Sequence, residues 1–128
     1  MQIIDTVVLV SSNDSTHPLH SRARIHLLSL HSSNDVFVPT IVLTEYDSEL
    51  KTHGFSRSDR ERIFRDLELV IPDHKIVPCT PSIHAIAVQY ERFGEWFDSL
   101  IAATAIVYYA TVISTDHIFN VINVPRIW

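Results

Sequence analysis

The sequence predicts an α/β fold, a three-layer α/β/α sandwich with a short parallel sheet. Three observations carry that expectation. Short apolar runs of strand length, rich in β-branched residues, alternate with longer stretches whose apolar residues recur at helical spacing. Prolines and short polar residues stand at the junctions, where strands stop and helices begin. The chain has 128 residues, 46% of them hydrophobic and 20% charged, enough for the core of one domain spanning 1–128. No linker, internal repeat or low-complexity tract divides it.

Taken in order, Gln2 to Ile4 is the first strand, continuous with the apolar run Ile3 to Leu9. His17 and Pro18 open a helix with Leu19, Ala23, Leu27 and Leu30 on one face, ending near Ser32 to Asp35. Val36 to Val38 form the second strand, stopped by Pro39. Thr40 is the expected N-cap of a helix that turns Val42, Leu43, Tyr46 and Leu50 inward and closes at Gly54. Ser58 and Glu61 resemble a capping box ahead of Ile63, Phe64 and Leu67. Ile76 and Val77 make a third strand before Pro78. Pro81 starts a helix through Ile83, Ile86, Ala87 and Tyr90 that ends around Gly94. Phe97 to Ala110 is the most apolar helix, Thr111 to Ser114 the strand after it, and Val124 to Trp128 the last strand. Strands buried on both faces and joined by helical crossovers belong to a parallel sheet.

Ten basic against fifteen acidic residues leave a formal charge of −5, which excludes a protein that coats nucleic acid by bulk positive charge. The single cysteine, Cys79, excludes an internal disulfide framework and a cysteine-rich zinc site, and suits a reducing cytoplasmic setting. The first residues lack the pattern of a signal peptide. The run from Ser99 to Thr115 is free of charge but falls short of the roughly 20 apolar residues of a membrane span and carries hydroxyls, so it reads as a buried helix and strand with no membrane role.

Four acids stand where apolar elements end. Asp5 is embedded in the first apolar run, Glu45 lies in the first turns of the helix after the second strand, and Asp98 and Asp116 bracket the charge-free run. Burying a carboxylate is costly unless something pairs with it. Each acid alone has an ordinary explanation as a turn former, an exposed helical acid, an N-terminal helix charge or an N-cap. Together they lie near the carboxyl ends of strands, where parallel sheets bind ligands. Carboxylates about 5 Å apart repel by roughly 3 kcal/mol per pair at an effective dielectric near 20, so such a cluster calls for a cation. Hard oxygen donors without a Cys pair or a spaced His pair favour Mg2+ or Mn2+. The chemistry expected of such a site is phosphodiester hydrolysis.

The same residues carry a family resemblance. Asp5-Thr6-Val7-Val8-Leu9 resembles the opening Asp-Thr-Asn-Val-Leu of PIN-domain ribonucleases, among them the VapC toxins of toxin–antitoxin pairs. Pro39 to Glu45 is similar to their second-acid segment, and Asp98-Ser99-Leu100-Ile101-Ala102-Ala103-Thr104-Ala105 to their Asp-Ala-Leu-Ile-Ala-Ala-Thr-Ala helix, the most specific match. Ser114 to Phe119 resembles their Thr-Arg-Asp-Lys-Asp-Phe motif. The resemblance implies a PIN-like fold and a Mg2+- or Mn2+-dependent endoribonuclease acting on RNA. It implies Asp5, Glu45, Asp98 and Asp116 as catalytic, metal-binding acids, a VapB-like antitoxin and a homodimer. Thr6, Ser114 and Thr115 are candidates to hydrogen-bond the acids.

The chain departs from that pattern at three positions. Val7 replaces the usual Asn or Ser, Ile118 the frequent second Asp of the last motif, and Thr115 the common Arg. These losses motivate the alternative of a non-catalytic or weakly active PIN-like module that binds RNA or protein. A phosphoryl-transfer enzyme acting on DNA or a small phosphate ester is a further rival.

Of the eight histidines only His117, beside Asp116, is placed to touch a phosphate. Arg57, Arg60, Arg62 and Arg65 are cancelled by Asp59, Glu61, Asp66 and Glu68 and read as a salt-bridged helix face, which leaves Arg22, Arg24 and Lys51 as the better candidates for contacting a nucleic-acid backbone. Glu95 reads as a solvent-facing residue ahead of Asp98. Trp96, Phe97, Tyr108 and Tyr109 read as core or dimer surface.

Overall fold

A computed structural model describes residues 1–128. Five short strands, β1 (Gln2–Ile4), β2 (Val36–Pro39), β3 (Ile76–Val77), β4 (Thr111–Ile113) and β5 (Arg126–Ile127), form one parallel sheet in the order β3-β2-β1-β4-β5. Gln2 pairs with Val36 on one side and Thr111 on the other, so β1 is the central strand. Helices α1 (Thr6–Asn13) and α2 (His20–Ser32) join β1 to β2, and α3 (Thr40–Thr52) and α4 (Arg57–Val70) join β2 to β3. Helices α5 (Pro81–Tyr90) and α6 (Trp96–Tyr108) cross over to β4, and α7 (Ile118–Val121) precedes β5. Helices thus flank a central parallel sheet, as expected.

The core follows from that layering. Ile3, Ile4, Val38, Val112 and Ile113 are almost wholly buried in the sheet, and Val8, Leu9, Leu30, Val42, Ile101 and Phe119 close over it. A smaller apolar cluster of Ile83, Ala87, Leu100 and Ala103 holds α5 to α6. The small side chains Ala102 and Ala103, both fully buried, let α6 pack tightly, so its first turn is fixed relative to the sheet.

The structure adds one element and moves several boundaries. Thr6-Val7-Val8-Leu9-Val10 is helical, not a continuation of β1. Asp5 caps this helix, its Oδ1 accepting from the Thr6 amide at 2.7 Å, and burial of Val8 and Leu9 outweighs the β preference of the valines. Helix α2 starts at His20, because Asp14 and Thr16 first make a side-chain-bonded turn that leaves Pro18 outside the helix. Pro39, not Thr40, is the residue before α3; the Thr40 hydroxyl instead accepts from the Cys79 amide at 2.9 Å and ties the start of α3 to the segment after β3. The cap of α4 is Ser56, which accepts from the Asp59 amide, in place of the Ser58–Glu61 box. Gly54 ends α3 as expected, with φ of 81° in the left-handed region that glycine adopts without a Cβ penalty. No helix is long and apolar enough to cross a membrane.

Candidate functional site

The strand order reverses beside β1: β2 and β3 lie to one side of it, β4 and β5 to the other. In open parallel sheets ligands bind at such a switch point, beyond the carboxyl ends of the strands, here β1 and β4. Asp5 directly follows β1 and Asp116 stands three residues past the end of β4. Glu45 comes in from α3, which follows β2, and Asp98 from the first turn of α6. The sequence-predicted acids are thereby brought to one place: like-charge repulsion couples Asp5 to Asp116, Glu45 to Asp5 and Asp98, and Asp98 to Asp5 and Asp116.

Their environments differ. Asp5 is buried, and burial raises its pKa, opposed by hydrogen bonds from the Ser114 hydroxyl and the Thr6 amide. Glu45 is half-buried and pushed up to about 7, first by burial and then by repulsion from neighbouring acids, against a hydrogen bond donated by the Thr6 hydroxyl to its Oε2. Asp98, also half-buried, is pushed up to about 6 by burial and by Asp5 and Asp116. Asp116 is exposed, and its Oδ1 accepts from the Ile118 amide at 2.9 Å, a local cap at the start of α7.

Two hydroxyls organise the group. Ser114, fully buried, donates to Asp5 Oδ2 and accepts from the Asp116 amide at 2.9 Å, so it links the ends of β1 and β4. Thr6 bridges Asp5 and Glu45. Thr115 is half-buried and takes no part in these bonds. Gly94 passes close to the site: a Cβ there would lie 2.8 Å from Ile118 Cγ1 and 3.5 Å from Asp98 Oδ2, so only glycine lets this loop lie flat against both.

The sequence-predicted basic candidates sit elsewhere. Lys51 pairs with Asp47 at 3.6 Å, and Arg22 donates to the Trp128 carbonyl oxygen at 2.8 Å. The α4 arginines are neutralised as expected: Arg60 makes a two-pronged pair with Asp47, Arg62 meets Asp59 and Arg65 meets Glu68. Sequence reasoning missed Arg126. Its Nη1 donates to the Ser114 carbonyl at 2.8 Å and its Nη2 lies 3.4 Å from His117 Nδ1. Nothing local in the sequence marks this residue, because only the pairing of β4 with β5 brings it to the turn.

The donor set consists of hard oxygens, the chemistry that suits Mg2+ or Mn2+. The arrangement itself does not fit an ion, since no group of three or more His, Cys, Asp or Glu side chains is gathered to hold one. Both oxygens of Asp5 and one of Glu45 are instead engaged by protein donors. The acids form a hydrogen-bonded, mutually repelling cluster.

The fold is shared with solved structures. A FitAcB structure from Neisseria gonorrhoeae is 21% identical, with a TM-score of 0.76 over 100% of this chain and 97% of that one. VapBC2 from Rickettsia felis, bound to a DNA fragment from its promoter, is 17% identical, with a TM-score of 0.73 over 98% and 96%. VapC20 from Mycobacterium tuberculosis, a toxin that cleaves the sarcin–ricin loop, is 14% identical, with a TM-score of 0.71 over 97% and 96%. Identities this low establish the fold and no more. No curated protein matches the chain. The sequence pattern of the PIN domain matches residues 3–124, spanning every acid of the cluster and nearly the whole sheet. The chain belongs to the PIN-domain family.

Proposed function

We propose that this chain is a weakly active or non-catalytic PIN-domain module that binds single-stranded RNA, working in a toxin–antitoxin type pair with a VapB-like antitoxin and as a homodimer. The observation that carries this reading is the state of the acids: they converge and raise one another's pKa, yet no three are gathered to hold an ion. Val7 and Ile118 agree with it, because each puts an aliphatic side chain where a polar one would help hold a cation or a water. The fold supports the pairing by its likeness to the FitAcB and VapBC2 structures.

A second reading is favoured by the convergence itself. In a divalent-metal-dependent endoribonuclease, Asp5, Glu45 and Asp98 would hold Mg2+ or Mn2+, with Asp116 helping a second ion or orienting the attacking water. The bound ion would supply a polarised phosphate oxygen and an activated water. Thr6 and Ser114 would then keep Asp5 and Glu45 in place.

Thermal melts with and without Mn2+, run beside cleavage of an unstructured RNA, separate the two readings. An ion bound at a Kd of about 0.1 mM adds close to 3 kcal/mol at about 10 mM metal, a rise in Tm of roughly 10 °C. The module reading expects a smaller rise and cleavage no faster than that of Asp98→Asn. A large rise, with RNA cleavage abolished in Asp5→Asn and Asp98→Asn, overturns it in favour of the nuclease.

A further inference from the structure

The acid cluster repels RNA phosphates, so RNA held there needs a positive group at its edge. We propose that Arg126 supplies it, holding a phosphodiester of the bound strand beside the 114–117 turn with His117 as its neighbour; this rests on the RNA-handling reading above. Four observations converge on Arg126. It is half-buried, so its stem is fixed, and its Nη1 is anchored on the Ser114 carbonyl at 2.8 Å. It makes no ion pair, whereas Arg60, Arg62, Arg65 and Lys51 are each neutralised by a carboxylate. Its Nε is buried without a hydrogen-bond partner. Its Nη2 has only the His117 ring, at 3.4 Å. A guanidinium presents donors in a planar fork shaped for two oxygens of a phosphate, and the second hydrogens on Nη1 and Nη2 are uncommitted.

Place and charge agree with the assignment. Ser114 joins Arg126 to Asp5 through one residue, its carbonyl taking the guanidinium and its hydroxyl giving to the carboxylate. Asp116 lies in the same turn. The phosphate would therefore rest at the rim, beside the acids rather than among them. Arg126 reaches this turn from β5, which pairs with β4.

The test is binding of a fluorescently labelled, unstructured RNA oligonucleotide across a range of salt concentrations without divalent metal, for wild type, Arg126→Met and Arg126→Lys, with a thermal melt of each. Arg126→Met is expected to weaken binding about tenfold. It should also flatten the salt dependence by about 0.7 in log–log slope, the value of one phosphate contact on a single strand. Arg126→Lys keeps the charge and hence the slope, while losing part of the affinity with the fork. A strut that only ties β5 to the turn would lower the Tm of Arg126→Met and leave the slope unchanged, which overturns the proposal. If Arg126→Met does not fold, Arg126→Lys decides: wild-type affinity in that variant refutes the role of the fork. Absence of RNA binding by wild type overturns the RNA-handling reading together with this one, whereas wild-type binding indifferent to Arg126 overturns this one alone.

Discussion

Replacing Glu45 by Gln is expected to stabilise the metal-free protein at pH 8, and to do so less and less as the pH falls. The folded state raises this carboxyl from 4.5 to about 7, chiefly by burial. An acid raised on folding binds its proton more tightly in the native state, so ionising it costs stability. That cost is present in full above pH 7, shrinks as the pH falls towards 4.5 and vanishes below it. At 1.36 kcal/mol per pKa unit the cost would be about 3 kcal/mol for a fully enclosed group. Glu45 is only half-buried, and solvent screening brings the figure to about 1 kcal/mol. Glutamine keeps an oxygen to accept from the Thr6 hydroxyl, so little else is lost. Urea unfolding in the presence of a chelator, wild type beside Glu45→Gln, should show the variant ahead by about 1 kcal/mol at pH 8, or roughly 3–5 °C in Tm. The gap should be mostly gone by about pH 5. The comparison between variants also cancels His26, whose pKa is lowered by burial and by Arg22 and which therefore costs stability as the solution turns acid. Equal stability at pH 8, or an advantage that persists undiminished at pH 5, refutes burial of an ionised Glu45 as a cost to the fold.

Three further outcomes follow from the structure. Ser114→Ala removes the hydroxyl that serves both Asp5 and the Asp116 amide, and should cost about 2 kcal/mol at pH 8 in denaturant unfolding, since a buried charge loses a donor. Phe119→Ala empties a fully buried site between the sheet and α7 and should cost about 3–5 kcal/mol, read by the same unfolding curve. Arg60→Ala breaks the two-pronged pair with Asp47 that joins α4 to α3, and because both partners are partly exposed the loss should stay under about 1 kcal/mol and fade in high salt.

The parallel sheet was legible because its strands are buried on both faces, which makes Val36 to Val38 and Thr111 to Ser114 continuous apolar runs. The first strand, Gln2 to Ile4, was read within its observed bounds, but α1 after it went unassigned. Five residues from Thr6 to Val10, three of them valine, carry a strand-like composition, and only tertiary burial of Val8 and Leu9 makes them helical. The local clue was Asp5, a good N-cap followed by an apolar run longer than its short parallel partners. Positions of the four acids could be read because each marks the end of an apolar element. Their mutual arrangement could not, since it depends on hydroxyls from Thr6 and Ser114 competing for the oxygens a cation would use. Arg126 was invisible for a different reason: its partners lie on another strand, and register pairing has no local signature.

The bond between Ser114 and Asp5 joins groups 109 positions apart. During synthesis the N-terminal carboxylate leaves the ribosome long before the hydroxyl that orders it, and the guanidinium on β5 follows later still. A nascent chain stopped just before β4 carries Asp5, Glu45 and Asp98 but lacks Ser114 and Asp116. Assembly of the acid cluster thus coincides with completion of the sheet.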